Sequence, residues 1–154
     1  MTKAEFVQQV RNVERRLYRV SRTMLSRNAD CEDAVQEALL KAWSKLGSLR
    51  EEQFFETWLI RILINECKTF YRRRPHAEGE IPESLAAPAE NREVMDALMN
   101  LPEKYRIPVE LHYIEGYAIG EIARMLLLPE GTVKWRLSRG RALLKTELGE
   151  EAQP

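Results

Sequence analysis

The chain has 154 residues, 44% hydrophobic and 31% charged, and its 24 basic and 24 acidic side chains cancel to a net charge of zero. That length suits one ordinary domain or two small helical ones, and no apolar run approaches the ~20 residues of a membrane span. The opening MTKAEFVQQVRNVERR lacks the apolar segment of a secretory signal, so the protein is expected in the cytoplasm, with no direct membrane insertion.

Phe6, Val10, Val13, Leu17, Val20 and Met24 recur at alternating spacings of four and three, the mark of one face of a long amphipathic helix. After the break SRNAD, Asp30 reads as an N-cap, with Glu32 and Asp33 in the first turn. That second helix carries Val35, Ala38, Leu39, Ala42 and Leu46 and is expected to end near Gly47. A third runs from about Phe54 to Arg73. Cys31 and Cys67 form no CxxC pair and fall within these helical patterns, so they read as reduced, buried thiols. Residues 75–89, PHAEGEIPESLAAPA, hold three prolines, one glycine and three glutamates, the composition of an extended, flexible linker. Beyond it, REVMDALMNL opens a second helical unit, in which Pro102, Pro108, Gly116 and Pro129 punctuate short helices up to about Leu148. No stretch alternates as a strand. The expected fold is all-α, with two small helical domains joined by a flexible acidic linker.

The zero net charge is a sum of unlike parts. Residues 1–74 carry 15 basic and 10 acidic side chains, residues 75–102 one and six, and residues 103–154 eight of each. Within the last part, 132–145 holds five basic residues and no acid. Such segregation suits a chain that presents cationic faces to a polyanion.

Two segments carry that chemistry. In the third helix, Phe55, Trp58, Leu59, Ile62, Leu63 and Phe70 form a broad apolar face, and Trp58 is expected in the core. Arg61, Asn65, Lys68 and Arg72, spaced four, three and four, form a separate polar stripe continued by Arg73 and Arg74. Only Glu56 and Glu66 stand at its margins, so the stripe is free to lie along phosphates, with nearby aromatics available to stack on unpaired bases. The second segment, IGEIARMLLLPEGTVKWRLSRGR at 119–141, has the pattern of a helix-turn-helix. Ile122, Ala123 and Leu126 face inward on its first helix, and Val133 and Leu137 on its second, where Gly140 and Leu144 continue the row. At about 100° per residue Trp135 then falls nearly opposite the core, among Lys134, Ser138 and Arg139. There it can touch thymine methyls or sugars or anchor a protein partner; the spacing fits both.

Three blocks together resemble the extracytoplasmic-function group of bacterial sigma factors: DCEDAVQEALLKAW at 30–43, TWLIRILINECKTFYRRR at 57–74, and the run from Ala97 to Leu144. The resemblance implies a promoter-recognition subunit of RNA polymerase that catalyses nothing itself and needs no metal or cofactor. Residues 1–74 would be a region 2-like domain, 75–90 a linker threading toward the RNA exit path, and 91–150 a region 4-like helix-turn-helix domain. Asp33, Gln36 and Glu37 match the family's D-x-x-Q-E positions, which bind the polymerase clamp helices. Arg61, Asn65, Lys68 and Arg72 would melt and read the minus-ten element, aided by a flipped base held in the loop from Gly47 to Phe54. Thr132, Lys134, Trp135, Arg136 and Arg139 would read the minus-thirty-five element. The family's usual partners are core RNA polymerase, promoter DNA and an anti-sigma factor, often membrane-bound.

This sequence departs from the family at Thr69, where Asp is common, at Ala118 and Pro129, where a capping Ser is common, and at Leu127, where the turn commonly has Gly. Two other classes stand beside this reading. A stand-alone helix-turn-helix regulator acting without polymerase leaves the basic stripe and DCEDAVQE unexplained. A small nucleic-acid enzyme lacks support, because His76 and His112 have no clustered carboxylates or cysteines at metal spacing and no glycine-rich phosphate loop is present.

Overall fold

The computed structural model describes residues 1–73 and 89–149, and the chain divides into two compact units. Arg74, His76 and nearly all of the expected linker lie outside the described residues. The described residues are helical, with no strand among them.

Among its described residues the first unit has three α-helices, α1 (Lys3–Met24), α2 (Asn28–Ser44) and α3 (Phe55–Arg73). Thr2 starts α1 with a full capping box: its hydroxyl accepts from the Glu5 N–H at 3.1 Å, and the Glu5 carboxylate accepts from the Thr2 N–H at 2.8 Å, satisfying two orphan donors. Phe6, Val13, Leu17, Val20 and Met24 are buried as the periodicity requires, and Val10 is half-buried. The core face of α2 is made of small residues, Cys31, Ala34, Val35, Ala38 and Ala42, which lets α2 pack closely against its neighbours while Leu40 and Trp43 stay outside. Both cysteines are buried free thiols.

Two expected boundaries of α2 are corrected. Asp30 is not the N-cap: the helix begins two residues before it, at Asn28, the Arg27 side chain at the cap position makes no capping bond, and the Cys31 N–H already donates to the Arg27 carbonyl at 3.0 Å. At the other end α2 stops at Ser44, and Gly47 falls in a 3-10 turn, Leu46–Ser48, that starts the connection to α3. A second such turn, Glu52–Phe54, leads directly into α3.

The second unit contains α4 (Ala89–Met99), α5 (Glu103–Val109), a π-helical turn (Glu110–Ile114), α6 (Ile119–Leu126) and α7 (Glu130–Leu148). Its core gathers Leu98, Leu101, Ile107, Leu111, Ile122, Met125, Val133 and Leu137. Met125 is buried and Leu126 only half-buried, the reverse of the expected emphasis. Pro108 does not end its helix. It sits inside α5, and the chain continues into the π turn, where the Glu115 N–H reaches back to the Glu110 carbonyl at 3.0 Å. The half-buried His112 donates from Nδ1 to the Tyr117 carbonyl at 2.8 Å, a structural contact.

The link between α6 and α7 sets the direction of α7. Leu127 adopts a left-handed conformation, φ 55° and ψ 48°, where a non-glycine residue costs about 1 kcal/mol. The Leu128 N–H then closes on the Ala123 carbonyl at 3.0 Å, the bond of a Schellman turn. Pro129 stands at the N-cap of α7 with φ −62° and ψ 147°, and Glu130 takes the first helical position. At the start of α6 the Ala118 N–H donates to the Glu121 carboxylate at 3.0 Å, but the alanine methyl cannot return a bond, so half of a capping box is present.

α7 approaches α5 closely because Gly140 has no side chain: a Cβ there would lie 2.7 Å from Val109 Cγ2 and 3.4 Å from Tyr105 Cβ. Gly140→Ala gains up to about 1 kcal/mol of helix propensity, yet it overpacks a contact against a β-branched side chain of limited freedom, a cost of about 1–3 kcal/mol. We expect a lower melting temperature for the second unit, and an unchanged or raised value would contradict the close packing. Ala118→Ser completes the capping box and is expected to stabilise the same unit by about 0.5–1 kcal/mol, read as a small upward shift in the same melt; a downward shift would contradict the cap geometry.

Candidate nucleic-acid interface

α3 presents two faces. Phe55, Leu59, Ile60, Leu63, Ile64 and Cys67 are buried. The stripe Arg61, Asn65, Lys68 and Arg72 lies on the opposite side, with Arg61, Asn65 and Arg72 exposed and Lys68 half-buried. Trp58 is half-buried rather than part of the core, at the edge between the two faces, its ring 5.9 Å from that of Phe55. Ile62 and Phe70 are likewise half-buried.

The two acids expected at the margins of the stripe turn away from it. Glu66, 6% exposed, pairs with Lys41 of α2. The Glu56 carboxylate lies 2.6 Å from the Arg16 guanidinium of α1. Arg61, Lys68 and Arg72 form no ion pair among the described residues. An uncompensated row of this kind attracts phosphates, whose neutralisation releases counterions. Beside it the connection from Gly47 to Phe54 is organised by its two 3-10 turns and leaves Phe54 exposed.

A different face of the first unit holds Asp33, Gln36 and Glu37, all exposed on α2. The sequence reading missed what lies beside them. Leu40, 66% exposed, shares their side of the helix, and Phe6, Val7, Leu39, Leu40 and Trp43 line an apolar groove between α1 and α2. The Phe6 and Trp43 rings meet edge-on at 5.1 Å. The signal was present at residues 36, 40 and 43, one turn apart and opposite the alanine-rich core face of α2.

In the second unit α7 buries Val133, Leu137 and Gly140, and Leu144 is half-buried. Lys134, Trp135, Ser138, Arg139 and Arg141 are exposed on the other side, and Thr132 and Arg136 are half-buried on its flank. Trp135 is 59% exposed, so the tryptophan does stand on the wet, basic side. Its ring is not isolated: Tyr105 of α5 lies 6.0 Å away between centroids, a support the sequence did not disclose. The α7 cations form no ion pair among the described residues.

Among the described residues no three His, Cys, Asp or Glu side chains are placed to hold a metal ion. No described helix is long and apolar enough to cross a membrane.

Comparison with known proteins agrees with this arrangement. The Sigma-70 region 2 model matches residues 9–76, and the Sigma-70, region 4 model matches residues 91–144. The ECF RNA polymerase sigma factor SigM of Mycobacterium tuberculosis is 37% identical over 152 residues, spanning 94% of this chain and 77% of that protein. The ECF RNA polymerase sigma-E factor of Escherichia coli K12 is 30% identical over 143 residues, spanning 79% and 75%. Among solved structures, the sigma factor RpoE in complex with the anti-sigma factor NepR from Bartonella quintana has a TM-score of 0.80 at 27% identity, covering 94% of this chain and 97% of that one. CnrH in complex with the cytosolic domain of CnrY also scores 0.80, at 28% identity and 99% and 92% coverage. Two helical units in the order region 2 then region 4, each with a cationic helix face, make this chain a member of the ECF group of RNA polymerase sigma factors.

Proposed function

We propose that this sigma factor gives core RNA polymerase its start-site choice through three separate surfaces. Residues 1–74 form the region 2 domain, 75–90 the tether and 91–150 the region 4 domain. Asp33, Gln36 and Glu37 on α2 dock the polymerase, which performs the chemistry. Arg61, Asn65, Lys68 and Arg72 on α3 hold the strand that separates at the minus-ten element, with the 47–54 connection receiving a base turned out of the stack. Thr132, Lys134, Trp135, Arg136 and Arg139 on α7 read the minus-thirty-five duplex, the cations holding phosphates or guanine edges. The protein acts in the cytoplasm, where its DNA and polymerase are.

The observation that carries this reading is the uncompensated stripe of α3. A region that opens DNA must stabilise a single strand more than the duplex it came from, and cations beside half-exposed aromatic rings suit a strand with unstacked bases. RpoE and CnrH are each seen with an anti-sigma partner, and we assign a partner of that kind to this chain. A regulator acting on duplex DNA without polymerase would leave the faces of α2 and α3 without a role.

Replacing Arg61 and Arg72 together by Ala is expected to impair promoter opening by holoenzyme at least tenfold while closed-complex binding changes less. Permanganate reactivity of minus-ten thymines reads the first and a gel shift at low temperature the second. Unchanged opening, or an equal loss in both, would contradict the assignment of the stripe.

A further inference from the structure

We propose that Lys104 and Tyr105 of α5 belong to the minus-thirty-five interface although they lie outside the helix-turn-helix: Lys104 neutralises a backbone phosphate, and Tyr105 positions the Trp135 ring. The proposal rests on the reading of α7 given above and extends it to a second element.

The geometry begins at Gly140. With no Cβ there, the Tyr105 backbone and Cβ come within about 3.5 Å of the place a side chain would occupy, so α5 is held tightly on α7 at this point. Tyr105 is buried, 8% exposed, and that packing holds its Cβ and backbone. Its ring has two neighbours. The centroid lies 6.0 Å from that of Trp135, with the planes inclined by 50°, and the Lys104 ammonium lies 5.0 Å from the same centroid. Lys104, Tyr105 and Trp135 therefore form a continuous row leading from α5 to the exposed face of α7.

Each member of the row has a distinct consequence for binding. A tryptophan 59% exposed has rotamers to lose when it docks, a cost that a preformed tilted ring contact with Tyr105 reduces. Lys104 is exposed and forms no ion pair among the described residues. As a compact charge on a flexible stem it suits a phosphate rather than a base edge. A contact from α5 also fixes the approach of α7, whose N-cap is Pro129 and makes no side-chain bond of its own.

The test uses holoenzyme reconstituted from the full chain and core polymerase, on a promoter fragment with an intact or a scrambled minus-thirty-five element, across a KCl series. Lys104→Gln is expected to make the slope of log affinity against log salt shallower by about 0.9, the value of one phosphate contact, on the intact element only. An unchanged slope, or an equal change on both fragments, would overturn the Lys104 contact. Tyr105→Leu is expected to reduce the preference for the intact element as much as Trp135→Ala does, and Tyr105→Phe to retain it. Loss of preference in Tyr105→Phe, or full preference in Tyr105→Leu, would overturn the positioning role. Lys104→Gln, at an exposed side chain, decides the proposal even where Tyr105→Leu fails to fold. Arg139→Ala separates the two levels: if it weakens the preference while Lys104→Gln does nothing, only the α5 contact falls. If neither Arg139→Ala nor Trp135→Ala alters the preference, the reading of α7 falls with it.

Discussion

α3 and α7 each bury one face completely enough to hold a row of like charges on the other. In α3 five large apolar side chains, Phe55, Leu59, Ile60, Leu63 and Ile64, are almost wholly buried, and each contributes about 1.5–3 kcal/mol relative to exposure. Like charges one turn apart on a helix oppose this by only about 0.2–0.5 kcal/mol per pair. The core therefore wins by a wide margin, and the stripe need not be neutralised for the helix to form. α7 has the smaller buried set, Val133, Leu137 and Gly140, and depends more on close contact with α5. That is why a single glycine matters there, and why α5 can share in what α7 does.

The acidic residues complete the arrangement. Glu66 is directed inward to Lys41 and Glu56 sideways to Arg16. By helical angle both sit on the flank of α3 that meets the other two helices, so the pairs tie the first unit together and leave the opposite face cationic. A buried carboxylate with its partner removed is costly, which gives Glu66 and Lys41 a structural role. The zero net charge of the chain thus conceals a division in which Glu56 and Glu66 serve packing and Glu5 and Glu121 serve caps while arginines and lysines face outward on α3 and α7.

Much of this was legible in the sequence where a period of 3.6 residues carries the information. The apolar row of α1, the stripe of α3 and the exposure of Trp135 follow from spacing alone, because a residue's side of a helix is fixed by its number. Boundaries were less legible. Asp30 is a good capping residue, yet the helix extends past it to Asn28, and Pro108 is a good breaker, yet it sits inside α5 and the chain runs on into a π turn. Trp58 was expected inside and lies at an edge, since aromatic character does not say which side of a wide apolar face meets a neighbour. Least legible were contacts between distant residues. Nothing local to Tyr105 announces that its Cβ packs on Gly140, thirty-five positions later, or that its ring lies near Trp135, and the groove beside Gln36 needs α1 as its second wall.

In the proposed function α2 and α3 couple polymerase to DNA opening while α7 anchors the promoter. Run-off transcription by core polymerase from a library of promoter fragments, with and without this chain, tests it most directly. Discrete transcripts that start at defined positions are expected only when the chain is present, from fragments sharing two spaced elements. No start-specific transcript, together with a shift of the same duplexes by the chain alone, would contradict it.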